Sequence, residues 1–234
     1  MKITFYAHAS FRLEDGLLAV VTDPYTPGPK PGSGFDPIDE PADLVIMSSR
    51  TDDFHSDPSH VRGRAEARPV VVNALELPKE GRTVLGVSIM PFPAFESLSY
   101  DFQGEFGRHP DANALYLFTL GGLNILHLGD TGNPIPPEHL ERLKGKVDVL
   151  LALAGAHATI AYDDLDAAIQ AIGPRVIIPM HYYSPRGWLN IEPVDAFLSR
   201  YPAEMVTRVG GPSLEVTPDA LPAEPHIYVL DQTR

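Results

Sequence analysis

The order in which strand-like and helix-like segments follow one another constrains the fold of this chain more than any other feature. Alternating apolar residues predict strands at 3–6, 10–13 and 17–22, with Asp15-Gly16 as the turn of a hairpin. Leu44–Met47 is a short apolar strand, and further strands are predicted near 70–72, 84–90, 114–119 and 123–127. Gly121-Gly122 joins the last two. The second half changes rhythm. Helices predicted at 136–144, 163–172 and 192–200 alternate with buried strands at 147–153 and 175–179, and strands follow near 204–208 and 213–216. Asp163-Asp164 opens its helix, where carboxylates favour the positive end of the dipole. Strands first, then alternating helices and strands, predict an α/β fold of layered sheets flanked by helices. Residues 24–42 are rich in Pro and Gly and read as a surface loop or flap. No linker divides the chain, so one domain over residues 1–234 is expected.

Composition narrows the partners. With 18 basic and 31 acidic residues the net charge is −13, which repels phosphate backbones and anionic membranes. Neither nucleic acid nor membrane is an expected partner; a small-molecule substrate is, and a homo-oligomer stays open. There are no cysteines, so disulfides, thiolate metal ligands and a cysteine nucleophile are excluded. The opening Met-Lys-Ile-Thr-Phe-Tyr runs straight into strand alternation without an apolar signal core, so a cytoplasmic protein is expected.

Chemistry is expected where polar residues end apolar strands, because loops held by a rigid sheet carry sites. Four stretches qualify: Asp23 after Leu18–Thr22, Ser49 to His55 after Leu44–Met47, Asp130 after Ile125–Leu126, and His181 after Val176–Met180. Their His and Asp donors suit zinc, manganese or iron. The bland readings stand beside this one. Asp130 can cap its own turn, Asp23-Pro24 is a turn signal, and Asp52 and Asp53 suit a solvated loop. His157 follows a buried strand and reads either as a loop histidine or as a group facing the site. Nucleotide-binding glycine loops and the Gly-x-Ser-x-Gly elbow are absent from the sequence.

Together these stretches resemble the metallo-β-lactamase superfamily, in the branch that includes ascorbate-6-phosphate lactonase and other metal-dependent hydrolases. The resemblance is carried by His8-Ala9-Ser10-Phe11, Thr22-Asp23-Pro24-Tyr25, Gly129-Asp130-Thr131-Gly132 and Pro174 to Tyr182, over roughly residues 3–185. It implies a four-layer αββα sandwich with a metal site at one edge of its two sheets. It also exposes a departure. The family signature His-x-His-x-Asp-His, laid on Arg50-Thr51-Asp52-Asp53-Phe54-His55, keeps only His55. Glu96, in Pro93-Ala94-Phe95-Glu96, stands where a further family histidine is usual, with His109 nearby in the following loop. Asp130 and His181 match the family's bridging aspartate and last histidine.

The resemblance therefore implies a reduced site. One divalent metal (zinc, manganese or iron) would sit on His55, Asp130 and His181, with Asp52 or His157 as general base or acid and His8 and Asp23 in support. An Arg50 guanidinium between Asp52 and Glu96 would fill the other metal position. The function implied is hydrolysis of a small ester, lactone or phosphodiester. The alternative, also open from the sequence, is a non-catalytic member of the fold that holds no metal and serves as a binding or scaffolding module.

Overall fold

The computed structural model describes residues 1–64 and 67–234. In chain order it contains β1 (Lys2–Ala7), β2 (Ser10–Glu14), β3 (Ala19–Thr22), β4 (Leu44–Met47), β5 (Val70–Asn73), β6 (Arg82–Val84) and β7 (Val87–Phe95). There follow α1 (Phe102–Phe106), β8 (Ala112–Leu120), β9 (Leu123–His127), α2 (Pro137–Leu143), β10 (Val149–Leu153), α3 (Tyr162–Ile172) and β11 (Val176–Met180). The last elements are α4 (Val194–Leu198), β12 (Val206–Arg208), β13 (Ser213–Glu215) and β14 (His226–Val229). They build two sheets, one in the order β13-β1-β2-β3-β4-β5 and one in the order β12-β14-β11-β10-β9-β8-β7-β6. The sandwich expected from the sequence is present.

Local chemistry explains the first hairpin. Asp15 Oδ1 accepts the backbone N–H groups of Leu17 and Leu18, each at 2.9 Å, which fixes the turn between β2 and β3. Side-chain alternation then sorts the strands into faces. Leu44 and Ile46 point into the core between the sheets, while Val45 and Met47 point outward with Tyr6, Val21 and Tyr25. That outward face is covered by Phe35 and Ile38 of the Pro/Gly-rich loop and by Val61.

The second sheet is helical on its far side. Leu165, Ala168, Ile169 and Ile172 of α3 form an i, i+3, i+4, i+7 stripe that joins the main core. All five residues of β10 and of β11 are buried, as expected for parallel strands covered on both faces. Between the sheets Phe5 and Phe11 stack at 4.7 Å. Fully burying a ring of this kind contributes about 1.5–3 kcal/mol.

Three elements depart from the sequence expectation. The run at 84–90 is not one strand: Leu85 and Gly86, both at positive φ, turn the chain between β6 and β7. Helix α1 and strand β14 were not anticipated, and β14 pairs with both β11 and β12. Among the described residues no helix is long and apolar enough to cross a membrane.

What matters for the site is where strands end. β1, β3 and β4 of the first sheet run in one direction, and β7, β9, β10 and β11 share a direction in the second. Their C-terminal ends meet at one edge of the sandwich. There the sheets are joined by backbone bonds from His181 N–H to the His8 carbonyl (2.6 Å) and from Ala114 N–H to the Ser48 carbonyl (3.0 Å).

Candidate metal centre

The loops at that edge supply the polar side chains. His8 follows β1, Asp23 follows β3, Asp52 and His55 follow β4, Glu96 follows β7, Asp130 follows β9 and His181 follows β11. His8, Asp23 and His181 all adopt positive φ (57°, 37° and 53°), a conformation that strains a residue bearing a Cβ. Strain of this kind collects where side chains must be aimed. Close loop packing also demands glycine here. A Cβ on Gly132 would lie 1.9 Å from the Ser97 backbone nitrogen, and one on Gly155 would lie 2.1 Å from the His181 carbonyl oxygen.

Asp23 is the anchor beneath the site. Fully buried, it accepts hydrogen bonds from Ser48 N–H (2.8 Å), Ser48 Oγ–H (2.5 Å) and the Tyr116 hydroxyl (3.0 Å). Its Oδ2 also lies 2.8 Å from His55 Nδ1. Burial alone would raise its pKa, but the nearby His127 and these hydrogen bonds outweigh burial and hold it below the usual carboxylate range. With Nδ1–H given to Asp23, His55 turns Nε2 into the site, the carboxylate–histidine arrangement that orients metal ligands. His127 is fixed alongside: Nε2–H donates to the Ala9 carbonyl at 2.8 Å, and Nδ1 accepts Gly129 N–H at 2.9 Å.

Among the described residues, four buried side-chain atoms at this spot have no hydrogen-bond partner: His8 Nε2, His55 Nε2, His181 Nδ1 and Asp130 Oδ1. Buried polar atoms are satisfied in the great majority of cases, so four orphans together call for a shared partner. Two overlapping groups have donor atoms within 4.8 Å of one another, His8 with His55 and His181, and Asp52 with His55 and Asp130. All are nitrogen or carboxylate oxygen donors, and no cysteine is available. The set fits a divalent ion of the zinc, manganese or iron type.

The electrostatics without an ion are consistent with that fit. Burial, reinforced by the other imidazoles, holds His8 well below its ordinary pKa and pushes His181 down to about 3. His55 goes the other way. Burial opposes its protonation, but Asp52, Asp23 and Asp130 prevail and push it up to about 10. Its Nε2 lies 4.0 Å from both Asp52 Oδ2 and Asp130 Oδ2. Burial raises both of those carboxyl groups above their ordinary range. A metal arriving at Nε2 must expel the His55 proton. Since that proton is held up to about pH 10, metal affinity should climb by about tenfold per pH unit through neutrality and level off above the His55 pKa. Competition against a chromophoric chelator at several pH values measures this, and a profile flat from weakly acidic to alkaline pH would contradict it.

Arg50 is not where the signature alignment led us to expect it. It is exposed, and its Nε lies 3.5 Å from Glu76, away from Asp52 and Glu96. The guanidinium at the site is that of Arg108, whose two terminal nitrogens donate to Glu96 at 2.5 and 2.7 Å. Glu96 also accepts Asp111 N–H at 2.6 Å. His109 is exposed and does not line the cavity, although its carbonyl accepts a bond from Arg108. His157 lies exposed at the cavity rim, 3.0 Å from the Tyr100 hydroxyl, which in turn donates to Glu105. Besides Arg108, sequence reasoning did not single out Ser48, Tyr100, Tyr116 or His127. Only His127 had a legible signal, as the last residue of an apolar strand three residues before Asp130.

Comparison with known proteins bears on this arrangement. Residues 2–181 match the family model described as the Beta-lactamase superfamily domain. The chain belongs to the metallo-β-lactamase superfamily. Within it, the chain is 29% identical over 197 residues to a UPF0173 metal-dependent hydrolase of Thermococcus onnurineus, covering 78% of this chain and 84% of that one. A relative of the same description from Pyrococcus furiosus is also 29% identical, over 198 residues, with the same coverage. Among solved structures, a candidate Zn-dependent hydrolase of the superfamily from Thermotoga maritima superposes with a TM-score of 0.70 at 28% identity, covering 98% of this chain and 97% of that one. Against this superfamily pattern, Phe54 stands where the signature has its aspartate, and its ring packs 4.8 Å from that of His8.

Proposed function

We propose that the chain is a metal-dependent hydrolase that uses one divalent ion on a small ester, lactone or phosphodiester. The observation that carries this reading is the convergence of unpartnered buried donors on His8, His55, His181 and Asp130. The metal-dependent hydrolases among its relatives support it. His55, His181 and Asp130 hold the ion, and His8, expected from sequence only in a supporting role, joins them as a ligand. A bound ion of this kind polarises a carbonyl or phosphoryl oxygen and makes water acidic at neutral pH.

The chain's own groups do the rest. Asp52 has its side chain only 9% exposed and its Oδ2 turned toward His55 Nε2, so it is positioned to take a proton from the attacking water. At the rim, His157 with Tyr100 gives a proton to the leaving group. Arg108, locked to Glu96, supplies fixed positive charge where a second ion would otherwise be needed, which is why we favour one ion over two.

Elemental mass spectrometry of the purified protein is the first test, with about one zinc, manganese or iron per chain expected. Chelation should abolish hydrolysis across a panel of esters, lactones and phosphodiesters, and re-addition of the ion should restore it. No metal after incubation with all three ions would favour the non-catalytic binding module instead.

A further inference from the structure

The cavity above the candidate centre has a volume of about 430 Å³, within the range typical of small-molecule sites. Its walls are unusual in kind. Phe54 meets Trp188 with ring centroids 5.3 Å apart, Trp188 meets Phe106 at 6.5 Å, and Phe106 meets Phe102 at 5.9 Å. Tyr100 continues the series, 5.0 Å from Phe102 and 4.9 Å from the His157 ring. These rings come from three separate stretches of chain, the loop after β4, the segment containing α1, and the loop after β11. Only Phe102 and Phe106 meet through helix spacing, as i and i+4 of α1; together with the rings from the other two stretches they form a collar around the cavity that leads to His55 and Asp130.

The collar is held in place before any ligand arrives. Trp188 Nε1–H donates to the Gly32 carbonyl at 2.6 Å, and the Lys30 ammonium sits 4.3 Å from its ring centroid. The neighbouring Arg186 pairs with Asp36, so the loop after β11 is fastened to the Pro/Gly-rich loop at Trp188 and two residues before it. Arg108 lies 4.8 Å from the Phe102 ring centroid while it grips Glu96. Rigid aromatic walls of this sort gain most from a flat apolar guest, through stacked and edge-to-face contacts that a flexible alkyl chain cannot make without losing rotamer freedom.

We propose that the collar of Phe54, Trp188, Phe106, Phe102 and Tyr100 selects a substrate with an aromatic body. In terms of the hydrolase reading, on which the choice of bond rests, the substrate is an ester or lactone of an aryl-substituted acid, its ring held by the collar and its carbonyl directed at the centre below. Hydrolysis adds water across the acyl–oxygen bond, the hydroxyl joining the acyl carbon and the proton going to the departing alkoxide. It gives an aryl-substituted carboxylic acid, which releases its proton to water at neutral pH, together with an alcohol, or for a lactone the single hydroxy acid. No other co-reactant is required.

Trp188 is the single tryptophan of the chain, so its emission reports on the collar alone. Titration of the purified protein with 3-phenylpropanoate, the product-like probe, should change Trp188 emission saturably. Hexanoate, of similar length but without a ring, should bind at least about tenfold more weakly. Isothermal titration calorimetry on the same samples registers binding that leaves emission unchanged. Phe106→Ala should weaken the aromatic probe by about tenfold and hexanoate by clearly less, narrowing the gap between the two, and Phe106→Tyr should restore it. Equal affinity for the two probes, or no binding of 3-phenylpropanoate by either method, overturns the proposal. Hydrolysis of methyl 3-phenylpropanoate and methyl hexanoate by the metal-loaded protein separates the two readings. Selective binding without hydrolysis of either ester, or of any lactone or phosphodiester in the panel, leaves the aromatic site intact and removes the hydrolase. Equal hydrolysis of both, with equal affinity for the two acids, does the reverse.

Discussion

Replacing both His55 and His181 with alanine is expected to remove the bound ion and lower hydrolysis by about a thousandfold or more, a loss of about 4 kcal/mol in transition-state stabilisation. Both rings lie in the overlapping donor groups, and His55 belongs to both of them. Without it Asp52 and Asp130 lose the imidazolium they face, but burial already raises both carboxyl groups, so they can become neutral rather than unfold the edge. The Asp23 carboxylate keeps Ser48 and Tyr116 as donors. Near-ultraviolet circular dichroism of the variant should therefore resemble that of the chelated parent. Asp23→Asn makes the informative contrast. It leaves every proposed ligand present but puts an amide where Asp23 Oδ2 faces His55 Nδ1 and Ser48 Oγ, disturbing the tautomer and aim of His55 and the Ser48 bond beneath it. Metal affinity should therefore fall by about 10–100-fold rather than vanish. A double variant that keeps its metal and its activity would mean that other donors hold the ion.

The contrast between ligand and orienter also shows which parts of the site were readable from the chain alone. His55, Asp130 and His181 lie in the loops that follow the apolar strands β4, β9 and β11, whose C-terminal ends share one edge, so the order of strands brings these loops together. Arg50 and Arg108 show the opposite case. Aligning a motif fixes a position along the chain but not the direction of a loop side chain, and Arg50 turns toward Glu76. Arg108, twelve residues beyond Glu96 and in no motif, reaches the site because the segment between β7 and β8 doubles back and brings residues 108–111 against Glu96. The fold divides in the same way. A continuous apolar run such as β4 announces a strand buried on both faces, whereas the place of β14 comes from its pairing with β11 and β12. The 85–86 turn was hidden because Leu85 gives no turn signal, even though it adopts φ of 51°.

Arg108→Met is expected to destabilise the protein by about 3 kcal/mol, which for a chain of this length lowers the melting temperature by about 6–12 °C. The Glu96 side chain is only 2% exposed and accepts both short bonds from Arg108. Stripped of them it keeps one backbone donor, Asp111 N–H, and faces the carboxyl groups of Asp52 and Asp130 with no cation between them. The penalty comes from stranding a buried charge, not from the intrinsic worth of the pair. Arg108→Met combined with Glu96→Leu should therefore recover most of the lost stability, because the double change removes both charges and leaves apolar groups of similar volume. Metal content decides what the pair is for. Among the described residues Glu96 belongs to neither group of converging donors, so freeing it should leave about one ion per chain. A rise to two ions in Arg108→Met would instead mean that the guanidinium keeps a second metal out of a site still able to bind it. Unchanged metal content, with stability regained in the double variant, would mean that Arg108 has permanently replaced that ion and that the chemistry of the centre runs on a single metal beside a fixed cation.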